Sequence, residues 1–188
     1  MSNFIDVKDN FKKLNRSLKH SDKAVRQAVL SSINRASQRA KTEAGRKTRE
    51  RYVIKQKEVV QTLSVRKAQK STLQAVITSK GHTIPLINFS VAPKRKLKRA
   101  PKALKAAVFR GGVRKPIPGA FIATAGTHLG VFMRKGKKRL PIDELRGPAV
   151  PSMVGSEEVR EHVQQVYGQE MEKRLPHELD RLLGRLRA

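Results

Sequence analysis

The amino-acid sequence predicts an α+β fold, in which a long N-terminal helix packs on an antiparallel β-sheet and amphipathic helices follow at the C-terminus. Three observations support this prediction. Apolar residues recur with helical spacing before residue 52, alternate with other residues in the middle of the chain, and return to helical spacing after residue 156. Glycine and proline mark most of the boundaries between these segments.

The N-terminal part of the chain is predicted to be helical. A weakly amphipathic helix is expected from Phe4 to Leu18, and Ser21-Asp22 offers an N-cap for a long helix that ends at about Tyr52. The apolar stripe of the long helix is narrow and rich in alanine, so this helix can lie close to a neighbouring element. Gly45 is a mild flaw in it. Residues 55–61 are expected to add one or two helical turns.

The middle of the chain is predicted to form strands joined by short turns. The segments with alternating or β-branched residues begin at Leu63, Leu73, Ile84, Leu104, Gly119 and His128. A basic hairpin loop at about residues 90–103 lies between two of these strands. We therefore divide the chain into an α+β core, residues 1–154, and a C-terminal helical segment, residues 155–188.

The junction with the C-terminal segment is rich in proline. Pro148 and Pro151 predict an extended, stiff connector, and Pro176 predicts a kink or a break near Leu175. The connector either carries the last helices onto a neighbouring subunit or folds back on its own domain. The apolar stripe of the last helix forms either core or a subunit interface; it consists of Leu175, Leu179, Leu182, Leu183 and Leu186.

The charge of the chain indicates an anionic partner. There are 42 Lys and Arg residues against 15 Asp and Glu residues, which gives a formal net charge of +27. No acidic residue occurs from Val59 to Ile142. Like charges at this density repel each other, so a polyanion would relieve the repulsion. Nucleic acid is the first partner to consider and an acidic protein surface the second.

Residue types that carry catalysis are sparse. The chain has no cysteine, and its five histidines lack the i, i+4 spacing of a metal site. Asp143-Glu144 is predicted to be a turn or helix-start pair that balances Arg139 and Arg146, rather than a hydrolase dyad. We predict no enzyme activity, no cofactor and no metal. No apolar run approaches the roughly 20 residues of a membrane span.

Aromatic residues also limit the kind of nucleic-acid contact. They make up 4% of the chain, with no Trp, and single-strand binders need exposed aromatic rings for base stacking. Four aromatic rings occupy predicted strand positions and are therefore expected to lie in the core: Phe89, Phe109, Phe121 and Phe132. The mode of binding that remains is contact with backbone phosphates, which does not depend on the base sequence.

One motif is specific. Residues 119–153 contain an AFIA strand, a short turn, H-x-G-V-F, a basic glycine turn and then R-L-P-I-x-E-L-x-G-P-x-V-P-x-M. This segment resembles the minor tail protein Z family of tailed bacteriophages and prophages, also called tail completion proteins. The residues that carry the last motif, and that we regard as assembly candidates, are Arg139, Leu140, Pro141, Ile142, Glu144, Leu145, Gly147, Pro148 and Pro151.

The resemblance implies a structural virion protein, made in the bacterial cytoplasm and placed in the neck, at the head-proximal end of the tail. It implies a ring of identical subunits, six in our expectation and twelve as the alternative, which surrounds the DNA channel. The partners would be the tail terminator or tail tube, the head connector and genomic DNA. The alternative function is that of a non-specific basic nucleic-acid-binding protein.

The basic loop acquires a possible role from this resemblance. Six of the eleven residues in APKRKLKRAPK, residues 92–102, are basic. We predict that repeated copies of the loop form a positive collar around DNA, and the alternative is a mobile, solvated loop. The DNA-facing candidates are Lys94, Arg95, Lys96, Lys98, Arg99 and Lys102.

Overall fold

A computed structural model of the chain describes residues 4–5, 23–95, 103–126 and 128–187. Two long helices pack against each other, and the described strands form four small antiparallel sheets. The predicted α+β class is therefore confirmed.

The first long helix, α1, spans Lys23–Arg51 and confirms the predicted alanine-rich helix. Its buried face is rich in alanine, whose side chain ends at Cβ, so a second helix can approach closely. That second helix is the C-terminal one, and from it Val159, Val163 and Tyr167 join the main buried cluster. This buried cluster contains residues from both the predicted core, residues 1–154, and the predicted C-terminal segment, residues 155–188. The small residues of α1 that are fully buried are Ala28, Ala36, Ala40 and Ala44.

A short helix, α2, spans Gln56–Thr62, where further helical turns were expected. It packs against α1 at Gly45. A Cβ atom at this position would lie only 2.5 Å from Cγ2 of Val60. Gly45 is therefore more than a weak point in α1, because it permits the close approach of the two helices.

The described strands give the following bounds. They are β1 Phe4–Ile5, β2 Leu63–Arg66, β3 Val76–Ser79, β4 Thr83–Pro85, β5 Ser90–Ala92, β6 Ala103–Ala107, β7 Lys115–Pro118, β8 Ala120–Ala125, β9 His128–Arg134, β10 Ile142–Glu144 and β11 Arg146–Ala149. The strand orders are β1-β3-β2, β11-β4, β5-β6-β7 and β10-β9-β8. The predicted strand that begins at Ile84 is divided by one turn of 3-10 helix, Leu86–Asn88.

The N-terminal helix prediction is wrong at its first two residues. Phe4 and Ile5 form β1, which pairs with Thr78 and Ile77 of β3. Backbone hydrogen bonds to an open strand edge outweigh a weak amphipathic period in so short a segment. The rest of that predicted helix, residues 6–18, lies outside the described residues.

The strand predicted from Leu73 begins only at Val76. Leu73 itself lies in a turn with φ 43°, and its N–H donates to the carbonyl oxygen of Gln69 at 2.9 Å. A positive φ is unfavourable for a leucine. Its side chain is fully buried beside Val29 and Ile33, and this burial offsets the local cost.

The proline-rich connector is extended only in its first half, so the prediction of an extended connector up to Pro151 is wrong. Pro148 lies in β11, and a short helix, α3, then spans Val150–Val154. Pro151 lies in the first turn of α3, where the missing N–H has no partner to lose. The C-terminal helix, α4, follows at Glu157–Arg187 and packs on α1 of its own chain.

Of the kink or break predicted near Leu175, the break is wrong. Helix α4 continues through Pro176, which is exposed. Proline removes one i→i−4 hydrogen bond. The turns on both sides have other support, because Leu175 packs against the buried cluster that includes Ile33, and Nη2 of Arg181 contacts Oε2 of Glu178 at 2.6 Å.

Candidate nucleic-acid interface

Strands β5 and β6 hold the basic loop, and their inner faces anchor it. They pair antiparallel with Ala92 opposite Lys105, and the loop connects them. Val91, Leu104 and Ala106 are buried. Because successive side chains of a strand alternate between its two faces, Lys105 lies on the other face, where it is exposed.

The structure describes two of the six DNA-facing candidates. Lys94 and Arg95 are exposed and follow β5 after Pro93. The other four lie outside the described residues: Lys96, Lys98, Arg99 and Lys102.

A shallow groove beside the base of the loop carries three further cations, Lys105, Arg110 and Arg114. Nε of Arg114 donates to Oγ of Ser90 at 2.9 Å, and Nε of Arg110 donates to the carbonyl oxygen of Arg49 at 2.9 Å. Both acceptors are neutral. The hydrogen bonds therefore orient the guanidinium groups without compensating their charge. We call this surface the basic groove.

A glycine turn shapes one wall of the basic groove. Gly111 has φ 72°, a left-handed conformation that glycine adopts without a Cβ clash. The turn returns the chain toward β5, so that Arg114 reaches Ser90. The turn joins two strands, β6 and β7, so it lacks the strand–GxxxxGK–helix frame of a phosphate-binding loop. The glycines position cations instead.

Phe109 lies at the same groove and is 50% exposed, so its predicted place in the core is wrong. Its ring contacts Tyr52, with the ring centroids 5.1 Å apart, and the guanidinium of Arg51 lies 5.6 Å from its centroid. Strand alternation ends at residue 107, where β6 ends, so periodicity could not place this ring. Phe89 and Phe132 are buried as predicted.

The electrostatics of the basic groove suit an anion. None of the described residues that line it is acidic. Guanidinium and ammonium groups bind phosphate oxygens through charge-assisted hydrogen bonds. The lining lacks Asn, Gln and acidic side chains, and its three cations can contact backbone phosphates without reading the base sequence.

Lys105, Arg110 and Arg114 were not predicted from the sequence to form one site. They are separated along the chain and become neighbours only through strand pairing and the glycine turn. One signal was available, because Lys105 occupies an outward position in an alternating strand.

The family motif lies elsewhere, between the sheets. Arg139 and Leu140 are exposed before β10, and Leu140 is 65% exposed. Leu145 links two sheets, because its N–H donates to Val131 at 2.7 Å and its carbonyl oxygen accepts from the N–H of Leu86 at 2.9 Å. The motif therefore connects β9 of one sheet with the start of the 3-10 turn that precedes β5.

Close packing against Phe89 explains why the motif has a glycine at position 147. A Cβ at this position would lie 2.5 Å from Cε2 of Phe89, and Phe89 is 1% exposed. Of the other motif residues, Ile142 and Glu144 lie in β10, Pro148 lies in β11, and Pro151 is buried in α3.

Acidic residues and histidines form isolated pairs. Asp143 and Glu144 lie in β10, so the predicted turn or helix start is wrong, although Glu144 does contact Arg146 at 3.3 Å. His128 contacts Glu144 at 3.1 Å. Within the described residues, no three His, Cys, Asp or Glu side chains are grouped as metal ligands, and no helix is long and apolar enough to cross a membrane.

Among the described residues, two carboxyl groups have a lowered pKa, and both belong to helix ion pairs. The pKa of Glu158 is lowered mainly by a hydrogen bond from Lys47, and Arg51 adds to this effect. The pKa of Glu170 is lowered mainly by a hydrogen bond from Arg174. The Lys47–Glu158 pair, at 3.2 Å, joins α1 to α4.

Comparison with known proteins bears on the motif. The family model of the prophage minor tail protein Z (GPZ) matches residues 8–187 of the 188 residues. No curated protein and no solved structure matches the chain. The family match covers both long helices and every described strand except β1, and it confirms the resemblance carried by the motif. The chain therefore belongs to the prophage minor tail protein Z family, a family of structural proteins of phage tails.

Proposed function

We propose that this tail protein is a tail completion component in the neck, where it forms a ring around the DNA channel and joins the tail to the head connector. The observation that carries the proposal is the basic surface made by the loop after β5 and the basic groove beside it. The ring would have six copies, with twelve as the alternative. Its protein neighbours would be the tail tube or tail terminator on one side and the head connector on the other.

The chemistry of this surface supports contact with DNA in a channel. A channel must accept every sequence of the genome, so contacts to phosphates serve better than contacts to base edges. Identical subunits arranged by rotation would present the same cations at equal intervals around the duplex. In such a ring, Lys94 and Arg95 of the loop and Lys105 of the basic groove would provide these contacts.

Charge reversal of the loop tests the DNA contact. Lys94, Arg95, Lys96, Lys98 and Arg99 are replaced by Glu in the phage or prophage that encodes the chain. Particles should contain the normal copy number of the protein, release DNA more readily and lose infectivity. The matched control reverses five exposed cations on α2, β2 and the segment after β2: Lys55, Lys57, Arg66, Lys67 and Lys70.

Two results would contradict the proposal. Unchanged DNA retention and infectivity in the loop variant would remove the positive collar. Absence of the chain from purified particles, or its location by electron microscopy away from the neck, would remove the neck assignment.

A second candidate function is that of a free nucleic-acid-binding protein. The observation that favours it is Phe109, half exposed beside three cations, since single-strand binders combine aromatic rings with basic grooves. This function predicts binding to single-stranded DNA with a steep salt dependence. It also predicts that Phe109→Ala weakens binding and that the chain is missing from particles, whereas a neck protein is present in particles at a fixed copy number.

A further inference from the structure

The sheet β10-β9-β8 ends in two strands that have no hydrogen-bonded strand on their outer side within the described chain. The N–H of Leu145 donates to the carbonyl oxygen of Val131 at 2.7 Å, so the odd-numbered residues of β9 bond toward β10. The even-numbered residues therefore bond toward β8. It follows that the backbone N–H and C=O groups of Ile122 and Thr124, which lie opposite odd-numbered residues, point away from the sheet.

The same alternation applies to β10. Asp143 lies opposite Met133 and bonds toward β9, while Ile142 and Glu144 direct their backbone groups outward. Each edge of this one sheet thus offers a row of backbone donors and acceptors. Both strands are antiparallel to β9, so β8 and β10 run in the same direction.

The edge at β8 lacks the features that protect exposed strands. Its sequence, AFIATA, has six residues and contains neither a charged residue nor a proline. The edge strand β7 of the neighbouring sheet is different, because Lys115, Pro116 and Pro118 interrupt its four-residue sequence. Charge and proline prevent pairing of edge strands between chains. The contrast indicates that β7 is protected against a partner strand and that β8 is open to one.

The two edges also differ in charge. Asp143 and Glu144 are the only acidic residues between Val59 and Ser156, and both lie on β10. At the opposite edge, the guanidinium of Arg134 lies 4.9 Å from the ring centroid of Phe121 in β8. Two copies of a chain with a net charge of +27 repel each other. Contact between the acidic β10 edge of one copy and the Arg134 guanidinium of the next copy, which reaches from β9 to the ring of Phe121 in β8, reduces this repulsion.

The carboxylates on β10 keep capacity for such a contact. Asp143 is half exposed and lies 3.3 Å from Lys135, and Glu144 contacts His128 and Arg146. Ion pairs with exposed partners contribute little free energy, and each carboxylate accepts several hydrogen bonds. These contacts within the chain therefore leave the acidic edge able to accept a second cation.

Exposed apolar side chains lie on the central strand and before β10. Leu129 and Met133 of β9 are 37% and 39% exposed, and they share one face of the sheet with Ile122 and Thr124. Leu140, 65% exposed, precedes β10. Apolar side chains grouped beside an open strand edge are typical of a protein contact.

We infer that β8 of one copy pairs in parallel with β10 of the next copy, so that the sheet β10-β9-β8 continues from subunit to subunit. The two edges are different surfaces, and head-to-tail contact between different surfaces closes into a ring when the rotation permits. The inference rests on the ring in the proposed function, and it identifies the subunit interface. It also gives a role to Ile142 and Glu144 of the family motif.

Disulfide cross-linking tests the pairing, because the chain has no cysteine of its own. Asp143→Cys is combined with Ile122→Cys in one variant and with Thr124→Cys in another, since all three side chains lie on the same face. Within one chain β9 separates the two cysteines by about 10 Å, which is beyond the Cα separation of a disulfide. Purified full-length protein and particles are both oxidised, and non-reducing gels should show a ladder that ends at the ring size.

Two control variants isolate the geometry. Ala123→Cys with Asp143→Cys places the thiols on opposite faces and should give no ladder. Thr124→Cys alone should stay monomeric on the gel. A separate variant, Thr124→Pro, removes an outward N–H and leaves the bonds to β9 intact; it should lose ring formation while its far-UV circular dichroism stays native.

Each outcome decides the inference. Only monomers from both double variants, in solution and in particles, would overturn it, as would dimers from Thr124→Cys alone, which indicate β8–β8 pairing about a two-fold axis. A ladder from a chain that is absent from particles supports the strand pairing and contradicts the neck function. A chain that is found in the neck but forms no ladder supports the neck function and contradicts the strand pairing.

Discussion

Replacement of Gly147 by alanine puts one methyl group against the ring of Phe89. The new Cβ would lie 2.5, 3.0 and 3.1 Å from Cε2, Cζ and Cδ2 of that ring. Carbon atoms in contact lie about 3.5–4.0 Å apart, so the ring or the strand must move by about 1 Å. Phe89 is 1% exposed and belongs to the main buried cluster, which is close-packed and transmits the displacement.

The expected loss of stability for Gly147→Ala is about 1–3 kcal/mol, the usual range for overpacking a core by one methyl group. Gly147 does not have a positive φ, so an alanine backbone is acceptable there and the cost is steric. Urea unfolding followed by far-UV circular dichroism measures the change. For a chain of this length each kcal/mol lowers Tm by about 2–4 °C.

A double variant distinguishes this cause from others. Phe89→Leu shortens the side chain that the new methyl group meets, so Gly147→Ala should cost less in the Phe89→Leu background than in the wild type. The steric reasoning is refuted if Gly147→Ala stays within about 0.5 kcal/mol of the wild type, or if the two substitutions simply add.

Three further changes probe the helices. Gly168→Ala should stabilise the protein by about 0.5–1 kcal/mol in urea unfolding, because it removes a glycine from α4 and its Cβ meets no atom within 4 Å; a loss of stability would contradict this. Glu43→Ala should lower the free energy of unfolding by about 1–3 kcal/mol, since the carboxylate of Glu43 is 4% exposed and lies 2.7 Å from Nε of Arg46. The control Glu50→Ala should cost less than about 0.5 kcal/mol, because Glu50 is half exposed and lies 4.0 Å from the same Nε. Equal losses would argue against the effect of burial. The folded-state pKa of Glu158 is lowered, so the wild type should have a larger free energy of unfolding than Glu158→Gln. This difference should be fully present above the ordinary pKa of 4.5 and should disappear as pH falls through the lowered pKa. Urea titrations at a series of pH values measure this difference, and a difference independent of pH would exclude the ion pair as its cause.

Local periodicity predicted the large elements because burial of one face imposes it. The stripe of Ala28, Ala36, Ala40 and Ala44 repeats at the spacing of a helix that packs on one side, and α1 follows. Strands β8 and β9 were predicted from short apolar segments joined by a glycine-containing turn, although the buried residues of β9, residues 130–132, are consecutive rather than alternating. These patterns are properties of neighbouring residues, so a sequence contains them directly.

Exceptions arose where distant contacts outweighed a local preference. Pro176 lowers helix stability at one position, but α4 gains support on both sides of it. Leu73 adopts a positive φ because a buried site beside Val29 and Ile33 of α1 receives its side chain. Phe4 and Ile5 form a strand because β3 offers an open edge. None of these partners is near in sequence.

The family, the α+β class and the excess of positive charge could be predicted from the sequence, because the motif, the hydrophobic periods and the composition are all local or additive properties. The sequence also marked the contiguous basic loop. Only the tertiary structure joined Lys105, Arg110 and Arg114 into the basic groove, since strand register and the Gly111 turn bring them together. Likewise, only the order of strands left β8 and β10 at opposite edges of one sheet. Hydrogen bonding between strands decides which edges remain unpaired, and this depends on the whole fold.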